Sequence, residues 1–345
     1  MPADNDHETI GSAETTVTTQ ESGTRRGQRD AAAAALAGVK HQPGAAKPDP
    51  ILVADNIVRQ FGGLRAVDVE HVEIQRGAIT ALIGPNGAGK TTFFNLLTGF
   101  DQPDEGTWSF GGRSLKGVAA HKVARLGMVR TFQLTKALSK LTVIENMRLG
   151  ATDQGGENFV RALVPGLWRA RENEITAQAE ELLERFKLYE KKDDFAGSLS
   201  GGQRKLLEMA RALMTEPRLV MLDEPMAGVN PALTQSLLGH ILDLKTTGMT
   251  VLFVEHDMHM VRTIADWVIV MAEGKIVAER YPDVVMDDPA VIDAYLGAHH
   301  DTDLGSLTGQ LEVAKDDGSP LVAQIQEELV EEKAAESATK KGTAK

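Results

Sequence analysis

The sequence contains no cysteine among its 345 residues. This absence excludes disulfide bonds, zinc sites with thiolate ligands and thiol nucleophiles. Basic residues are also in deficit, since 37 Lys and Arg stand against 49 Asp and Glu and leave a formal net charge of −12. Proteins that bind DNA or RNA draw much of their affinity from Lys and Arg on phosphates, so we expect no nucleic-acid partner.

Long hydrophobic runs are missing as well. The run Val251–Val254, for example, has the length of a strand, whereas a helix that spans a bilayer needs about 20 apolar residues. The first residues, MPADNDHETIGSAETT, lack the charged and apolar regions of a secretory signal. The sequence therefore predicts a protein that meets a membrane only from outside the lipid.

Large apolar residues are scarce at both ends of the chain. Residues 1–48 are rich in small and polar residues, and 299–345 are polar and end in EELVEEKAAESATKKGTAK. Both compositions favour disorder. For the second tail, a short amphipathic helix on Val322, Ile325 and Leu329 remains an alternative. The sequence thus predicts one globular unit, 49–298, between two disordered extensions.

Within 49–298, strand and helix patterns alternate. ILVADNIVRQF and AVDVEHVEI alternate apolar and polar residues, as strands with one solvated face do. AITALIG is almost wholly apolar, and RLVMLDEP and MTVLFVEHD each contain an apolar run, which is typical of buried parallel strands. Apolar residues at helical spacing predict a helix over 231–245 and a helical region over about 133–215. This alternation indicates an α/β fold.

The segment GPNGAGKT, residues 84–91, matches the phosphate-loop pattern GxxxxGK[ST] at every fixed position. Glycines let the backbone approach a phosphate, and the backbone N–H groups form the cradle. Lys90 would place its charge at the β- and γ-phosphates, and the Thr91 hydroxyl would bind Mg²⁺. An apolar strand before the loop and a helix after it make a chance match a weak alternative.

Three further polar residues follow the ends of predicted buried strands. Asp223 would hold Mg²⁺, and the adjacent Glu224 would polarise an attacking water. His256 ends the strand TVLFVEH, at the sheet edge where ligands of parallel sheets gather, and would contact the γ-phosphate. We expect His259, nearby, to be a surface residue.

The segment LSGGQ, residues 199–203, is a second glycine turn before a predicted helix. Such a turn offers Ser200, backbone N–H groups and a helix dipole to a phosphate, but neither a lysine nor a metal ligand. It is therefore only part of a site. We expect two such subunits to meet head to tail, with each LSGGQ closing over the phosphate loop of the other.

Two residues remain ambiguous on pattern alone. Phe61, in a turn before the phosphate loop, would either stack on a base or fill the core. Gln133, in VRTFQ, carries only a weak signal by itself.

In this order and spacing, these motifs resemble the ABC ATPases over nearly the whole globular part. The resemblance implies a P-loop NTPase of the ABC type, with a mixed sheet core, an antiparallel β subdomain and a helical subdomain. It implies ATP and Mg²⁺ as cofactors and favours adenine stacking for Phe61. The implied catalytic residues are Lys90, Gln133, Glu224 and His256, and the implied metal ligands are Thr91, Gln133 and Asp223. The implied nucleotide-binding residues are Phe61, Gly84, Pro85, Asn86, Gly87, Ala88, Gly89, Lys90, Thr91, Thr92, Ser200, Gly201, Gly202 and Gln203.

Finer features, VRTFQ, EPMAGVNP, VEHDMHMV and DDPAVIDAYLG, are similar to the LivG-type ATPases of branched-chain amino acid importers. That family implies a peripheral subunit on the cytoplasmic face of the plasma membrane. Its partners are two permeases, a second similar ATPase and, indirectly, an extracytoplasmic binding protein. A urea, amide or other amino acid importer is the main alternative. A soluble ABC ATPase, or a module that binds ATP without cleaving it, fits the residues less well. Asn230 departs from the aspartate that most ABC ATPases carry there.

Overall fold

The computed structural model describes residues 34–131, 138–152, 165–229 and 231–297. The strands are β1 Pro50–Phe61, β2 Leu64–Gln75, β3 Ile79–Ile83, β4 Glu105–Phe110, β5 Arg113–Ser114, β6 Met128–Arg130, β7 Leu219–Asp223, β8 Thr250–Val254, β9 Trp267–Ala272 and β10 Lys275–Arg280. The helices are α1 Lys90–Leu97, α2 Ala120–Arg125, α3 Val143–Arg148, α4 Pro165–Arg185, α5 Gly201–Leu213, α6 Pro231–Thr246, α7 Met258–Ile264 and α8 Pro289–Gly297. Single 3₁₀ turns lie at Tyr189–Lys191, Ala196–Ser198 and Val285–Asp287.

A six-stranded central sheet has the order β10-β9-β3-β8-β7-β6, and all neighbours are parallel except β10 and β9. Every residue of β3, β7 and β8 is buried. Successive side chains of a strand point to opposite faces. Accordingly Val220 and Leu222 join one hydrophobic cluster, whereas Leu219 and Met221 join another. Burial on both faces explains why these strands are mostly apolar, as the sequence predicts.

A second, antiparallel sheet has the order β2-β1-β4-β5. Buried and more exposed residues alternate along much of β1 and β2, which confirms the strands predicted from their alternating sequence. Its buried residues form one cluster with the apolar face of α1 and with one face of the central sheet. The phosphate-loop helix is thereby held between the two sheets.

Helices α3 to α6 cover the other face of the central sheet. In α4 the helically spaced residues Ile175, Ala179 and Leu183 are buried, as is Phe186 just beyond its end. Complete burial of a large apolar side chain contributes about 1.5–3 kcal/mol, so packing rather than helix propensity holds this region in place. The helix predicted over 231–245 is observed as α6.

The N-terminal boundary differs from the sequence prediction. Residues 34–36 are helical, and Leu36 is completely buried, with its carbonyl accepting a hydrogen bond from the Tyr281 hydroxyl at 2.7 Å. Lys47 forms a buried ion pair with Glu279 at 2.6 Å. The prediction of disorder up to residue 48 is therefore wrong for 34–48. The segment is rich in small residues, and the residues that attach it, Gly44 and Lys47, bond to Glu279 more than 200 positions later in the chain.

Candidate functional site

Three buried strands end at the same edge of the central sheet. β8 pairs with β3 on one side and with β7 on the other, all in parallel. The loop 84–89 follows β3, Asp223 is the last residue of β7, and His256 lies two residues beyond β8. The topology thus brings together three motifs that are far apart in the sequence, at the edge where parallel sheets bind ligands.

The loop between β3 and α1 has a backbone that only glycine allows at two points. Gly84 has φ 146°, and a Cβ there would lie 1.9 Å from the carbonyl oxygen of Met271. Gly89 has φ 96°, and a Cβ there would lie 2.3 Å from the carbonyl oxygen of Ala66. No side chain caps the start of α1, so its first-turn N–H groups are available to an anion.

Lys90 begins α1 and folds back over this loop. Its Nζ donates hydrogen bonds to the carbonyl oxygens of Gly84 at 2.7 Å and Pro85 at 2.8 Å. Burial lowers the pKa of Lys90, whereas the negative charges of Glu224 and Asp223 raise it. The lysine therefore lies close enough to both carboxylates to sense their charge, which places the phosphate loop and the end of β7 in one site.

Asp223 is buried and already paired with a cation. Its Oδ2 accepts a hydrogen bond from Nη2 of Arg130, the last residue of β6, at 2.6 Å. The side chains of Arg130 and Asp223 are 4% and 7% exposed. The sequence motif VRTFQ contains Arg130, but nothing in the pattern indicated that this arginine joins the site.

Glu224 lies just beyond β7 in an unusual conformation. Its φ of 45° is in the left-handed region, and its N–H donates to the carbonyl oxygen of Val254 at 3.0 Å. Non-glycine residues in this region store strain and cluster at functional sites. The half-buried carboxylate thus sits on a fixed, strained turn, as suits a group that orients a water.

Glu255, which directly follows β8 and belongs to none of the predicted site residues, holds the same turn. It is buried, and its Oε1 accepts a hydrogen bond from the Met226 N–H at 3.0 Å. Burial raises the pKa of Glu255, and the bond from Met226 lowers it. Lys205, on α5, donates to the carbonyl oxygen of Pro225 in the same turn at 3.1 Å. These contacts fix the backbone that follows Glu224.

His256 points outward at the end of β8. Its side chain is 61% exposed, and its Nδ1 lies 4.0 Å from the Glu255 carboxylate. The nearby His259 is exposed on α7, where its backbone N–H donates to the capping carboxylate of Asp257 at 2.9 Å. His256 is therefore accessible to a ligand at the sheet edge, and His259 is the surface residue that the sequence predicts.

The LSGGQ turn forms the start of α5. Ser200 is the N-cap, with its hydroxyl accepting from the Gln203 N–H at 3.3 Å and its own N–H donating to the Gln203 side chain at 3.0 Å. Ser200 and Gly201 are exposed. Lys205, two residues after the LSGGQ turn in sequence, donates to backbone carbonyls of the turn after β7. The LSGGQ turn thus presents an open, capped helix end, and its five residues carry no charged side chain.

Phe61 ends β1 and is 48% exposed. The Arg59 guanidinium lies 4.8 Å from the centroid of its ring and is also paired with Asp101 and Asp104. This exposure contradicts the alternative that Phe61 fills the core and leaves its ring available for stacking. Gln133 and Asn230 lie outside the described residues.

The donor set around the loop fits Mg²⁺ together with a phosphate. Thr91 is exposed in the first turn of α1, and Asp223 supplies a carboxylate at the same edge. Hydroxyl and carboxylate oxygens are hard ligands of the kind that Mg²⁺ prefers, with phosphate oxygens and water completing its shell. Within the described ranges, no cluster of three or more His, Asp or Glu could hold a metal alone.

None of the described helices combines the length and apolar character that a membrane span requires.

Fold and site together define a phosphate-loop nucleotide-binding protein, and comparisons with known proteins narrow the class. A family model described as ABC transporter matches residues 67–227. The chain is 42% identical over 248 residues to an Archaeoglobus fulgidus protein named probable branched-chain amino acid transport ATP-binding protein LivG. It is 41% identical over 250 residues to the Pseudomonas aeruginosa high-affinity branched-chain amino acid transport ATP-binding protein BraF. These matches span 72% of this chain and 96% and 98% of the relatives.

Solved structures agree with this result. One, titled as the ADP conformation of an ATP-binding cassette of an ABC transporter, is 38% identical and superposes with a TM-score of 0.62. The match covers 72% of this chain and 99% of that one. The chain belongs to the ABC transporter family, as one of its ATP-binding proteins, and it is an ATPase. The resemblance predicted from the motifs is thereby confirmed.

Proposed function

We propose that this chain is the ATPase subunit of an importer of branched-chain amino acids, on the cytoplasmic face of the plasma membrane. The observation that carries the substrate class is the 39–42% identity to transport proteins of that name, over 96–98% of their length. The site geometry supports turnover in addition to binding, because the fixed Glu224 turn, Lys90 and the accessible His256 lie at one sheet edge.

In this proposal, the loop N–H groups and Lys90 bind the β- and γ-phosphates of ATP. Thr91 and Asp223, with Gln133, would hold Mg²⁺, which neutralises phosphate charge when bound. Glu224 takes a proton from the attacking water, a role worth typically about 10²–10⁴-fold in rate. His256 contacts the γ-phosphate, and Phe61 stacks on the adenine.

A second ATPase subunit completes the site. The exposed Ser200 and Gly201 present the Ser200 hydroxyl, the Gly201 N–H and the start of α5, but the five residues of LSGGQ carry no charge of their own. Closure over the phosphate loop of a facing subunit would supply that missing charge. ATP drives such closure only to the extent that it binds the closed state more tightly than the open one.

A groove in the helical layer supports a permease partner. Leu138, Leu149 and Phe195 are 49%, 55% and 61% exposed, and they flank the helices just beyond the segment that contains Gln133. The residues lining the groove are Leu141, Glu145, Arg148, Leu149, Glu172 and Ile175. Exposed apolar side chains around a charged groove are typical of a protein interface. We propose that the permeases dock here, and that the extracytoplasmic binding protein acts through them.

Replacing Glu224 by Gln tests the ATPase chemistry. The amide cannot accept the proton, so we expect turnover to fall by about 10²–10⁴-fold while ATP stays bound and a dimer accumulates in light scattering. Glu216→Gln is the matched control. Glu216 is also a glutamate with positive φ, 48°, but it is exposed and precedes β7 instead of following it.

Purification from native membranes tests the transport assignment. We expect mass spectrometry to identify two permeases and a second ATPase that purify with the chain. The dimer of the Glu224→Gln variant is then to be measured with this second ATPase present. Recovery with nucleic acid, or as a soluble species without permeases, would contradict the importer. A monomeric Glu224→Gln variant in ATP with its partner present would contradict the composite site.

A further inference from the structure

Arg130 connects three parts of the nucleotide site through one side chain. Its Nη2 donates to Asp223 Oδ2 at 2.6 Å, and its Nη1 donates to Asn95 Oδ1, on the phosphate-loop helix α1, also at 2.6 Å. Its guanidinium carbon lies 5.5 Å from the centroid of the Phe94 ring. Arg130 ends β6, three residues before Gln133. The end of β6, the phosphate-loop helix and the metal-binding end of β7 therefore meet at this guanidinium.

The burial of this pair determines what it does electrostatically. With both side chains almost entirely out of water, the Asp223 charge depends on a cation close by, and Arg130 provides it. A divalent cation at the same carboxylate would be repelled by the guanidinium, and it would meet an aspartate whose charge is already neutralised. The Arg130 guanidinium and a divalent cation would thus both bind the buried Asp223 carboxylate.

We propose that Arg130 and the divalent cation compete for Asp223, so that metal loading is coupled to the strand leading to Gln133. Arg130 is a positioning residue in this scheme, since it acts through Asp223. Because coupling is reciprocal, the contact that lowers metal affinity also lets the metal loosen the hold of Asp223 and α1 on the end of β6. The inference rests on the proposed function, because it assumes that the site binds ATP with Mg²⁺.

The experiment measures metal affinity directly. The full-length wild type and Arg130→Met are saturated with ATP and titrated with Mn²⁺, and free Mn²⁺ is followed by electron paramagnetic resonance. Methionine keeps the apolar stem and removes the charge. Since a charge at this distance shifts ionic equilibria by about one to three log units, we expect Arg130→Met to bind Mn²⁺ at least about tenfold more tightly. Arg130→Lys, which keeps the charge, should stay near wild type.

Two further variants separate this effect from loss of stability. Lys245→Met breaks another buried pair, with Asp266, whose side chains are 7% and 13% exposed. Asp266 accepts from the Ile79 N–H at the start of β3, the end of that strand opposite the phosphate loop. The Lys245→Met variant should therefore have a lower melting temperature than wild type and an unchanged affinity for Mn²⁺. If Arg130→Met does not fold, Arg130→Gln, which keeps an N–H donor for Asp223, serves in its place and should also bind Mn²⁺ more tightly.

Unchanged or weaker Mn²⁺ binding in the neutral variants would overturn the inference and leave Arg130 a structural ion-pair partner. That result would leave the proposed function intact, because wild type would still bind ATP and metal. A wild-type chain that bound neither would contradict the proposed function, and this inference with it.

Discussion

Glu255 shows how a single buried carboxyl group affects both the site and the stability of the molecule. Its carboxylate accepts a hydrogen bond from the Met226 N–H and so holds the turn after Glu224. Burial raises the pKa of Glu255 above the usual 4.5. The folded protein therefore binds a proton at Glu255 more tightly than the unfolded chain does. This contribution to stability is present at low pH and is lost as the pH rises from about 4.5 through the higher folded-state pKa.

Replacing Glu255 by Gln tests whether this carboxyl group makes the protein less stable as the pH rises. Glutamine still accepts the Met226 hydrogen bond but does not ionise. We expect the melting temperature of Glu255→Gln, relative to wild type, to rise steadily from acid to neutral pH, each unit of pKa shift corresponding to about 1.4 kcal/mol. Glu216→Gln, at an exposed site, should give a flat difference. A flat difference for Glu255→Gln would show that the carboxyl group stays solvated.

At the scale of single residues, the sequence predicted the site residues at the ends of apolar strands, but it did not predict the side chains that contact them. Asp223, Glu224 and His256 could be selected because strand ends are readable from local pattern. Arg130 and Glu255 could not, because their roles depend on which strands are neighbours. Arg130 meets Asp223 only because β6 pairs with β7, 93 positions later in the chain.

At the scale of an element, α5 combines an open and a crowded glycine. A Cβ at Gly201 would have nothing within 4 Å, whereas a Cβ at Gly202 would lie 1.5 Å from Cδ2 of Leu233 on α6. The LSGGQ turn is therefore closed against α6 on one side and open on the other. The sequence predicted α5 and α6 as separate helices, but their spacing could not be derived from periodicity, which describes one helix at a time.

Alanine substitutions in α5 test this packing. Alanine at Gly201 should leave the free energy of unfolding unchanged or raise it by a few tenths of a kcal/mol, since alanine favours helix. Gly202→Ala should lower it by about 1–3 kcal/mol through overpacking, although movement of the Leu233 side chain would reduce that loss. In a Leu233→Ala background the penalty at Gly202 should disappear. Urea denaturation of the four variants measures the coupling, and additive effects would contradict the contact.

At the scale of the whole molecule, the segment 34–47 fastens the N-terminal part of the chain to the central sheet. Glu279, completely buried on β10, accepts hydrogen bonds from the Gly44 N–H at 2.9 Å, from Lys47 Nζ at 2.6 Å and from Trp267 Nε1 at 3.0 Å. The family match begins only at residue 67. The segment 34–47 therefore lies outside that match, and its local composition, rich in alanine and glycine, gave no sign of the attachment.

The buried pair of Lys47 and Glu279 makes the attachment testable. Lys47→Met leaves the Glu279 carboxylate buried without its cation, so we expect the free energy of unfolding to fall by about 3–5 kcal/mol. The double variant Lys47→Met, Glu279→Gln removes that stranded charge and keeps one acceptor oxygen, enough for either the Gly44 or the Trp267 N–H but not both, so it should recover part of the loss. Lys191→Met, from an exposed pair with Asp194, is the control and should change stability by less than about 1 kcal/mol. If Lys47→Met behaved like this control, the segment 34–47 would not be attached through Glu279, and the folded unit would begin nearer to residue 48, as composition alone predicts.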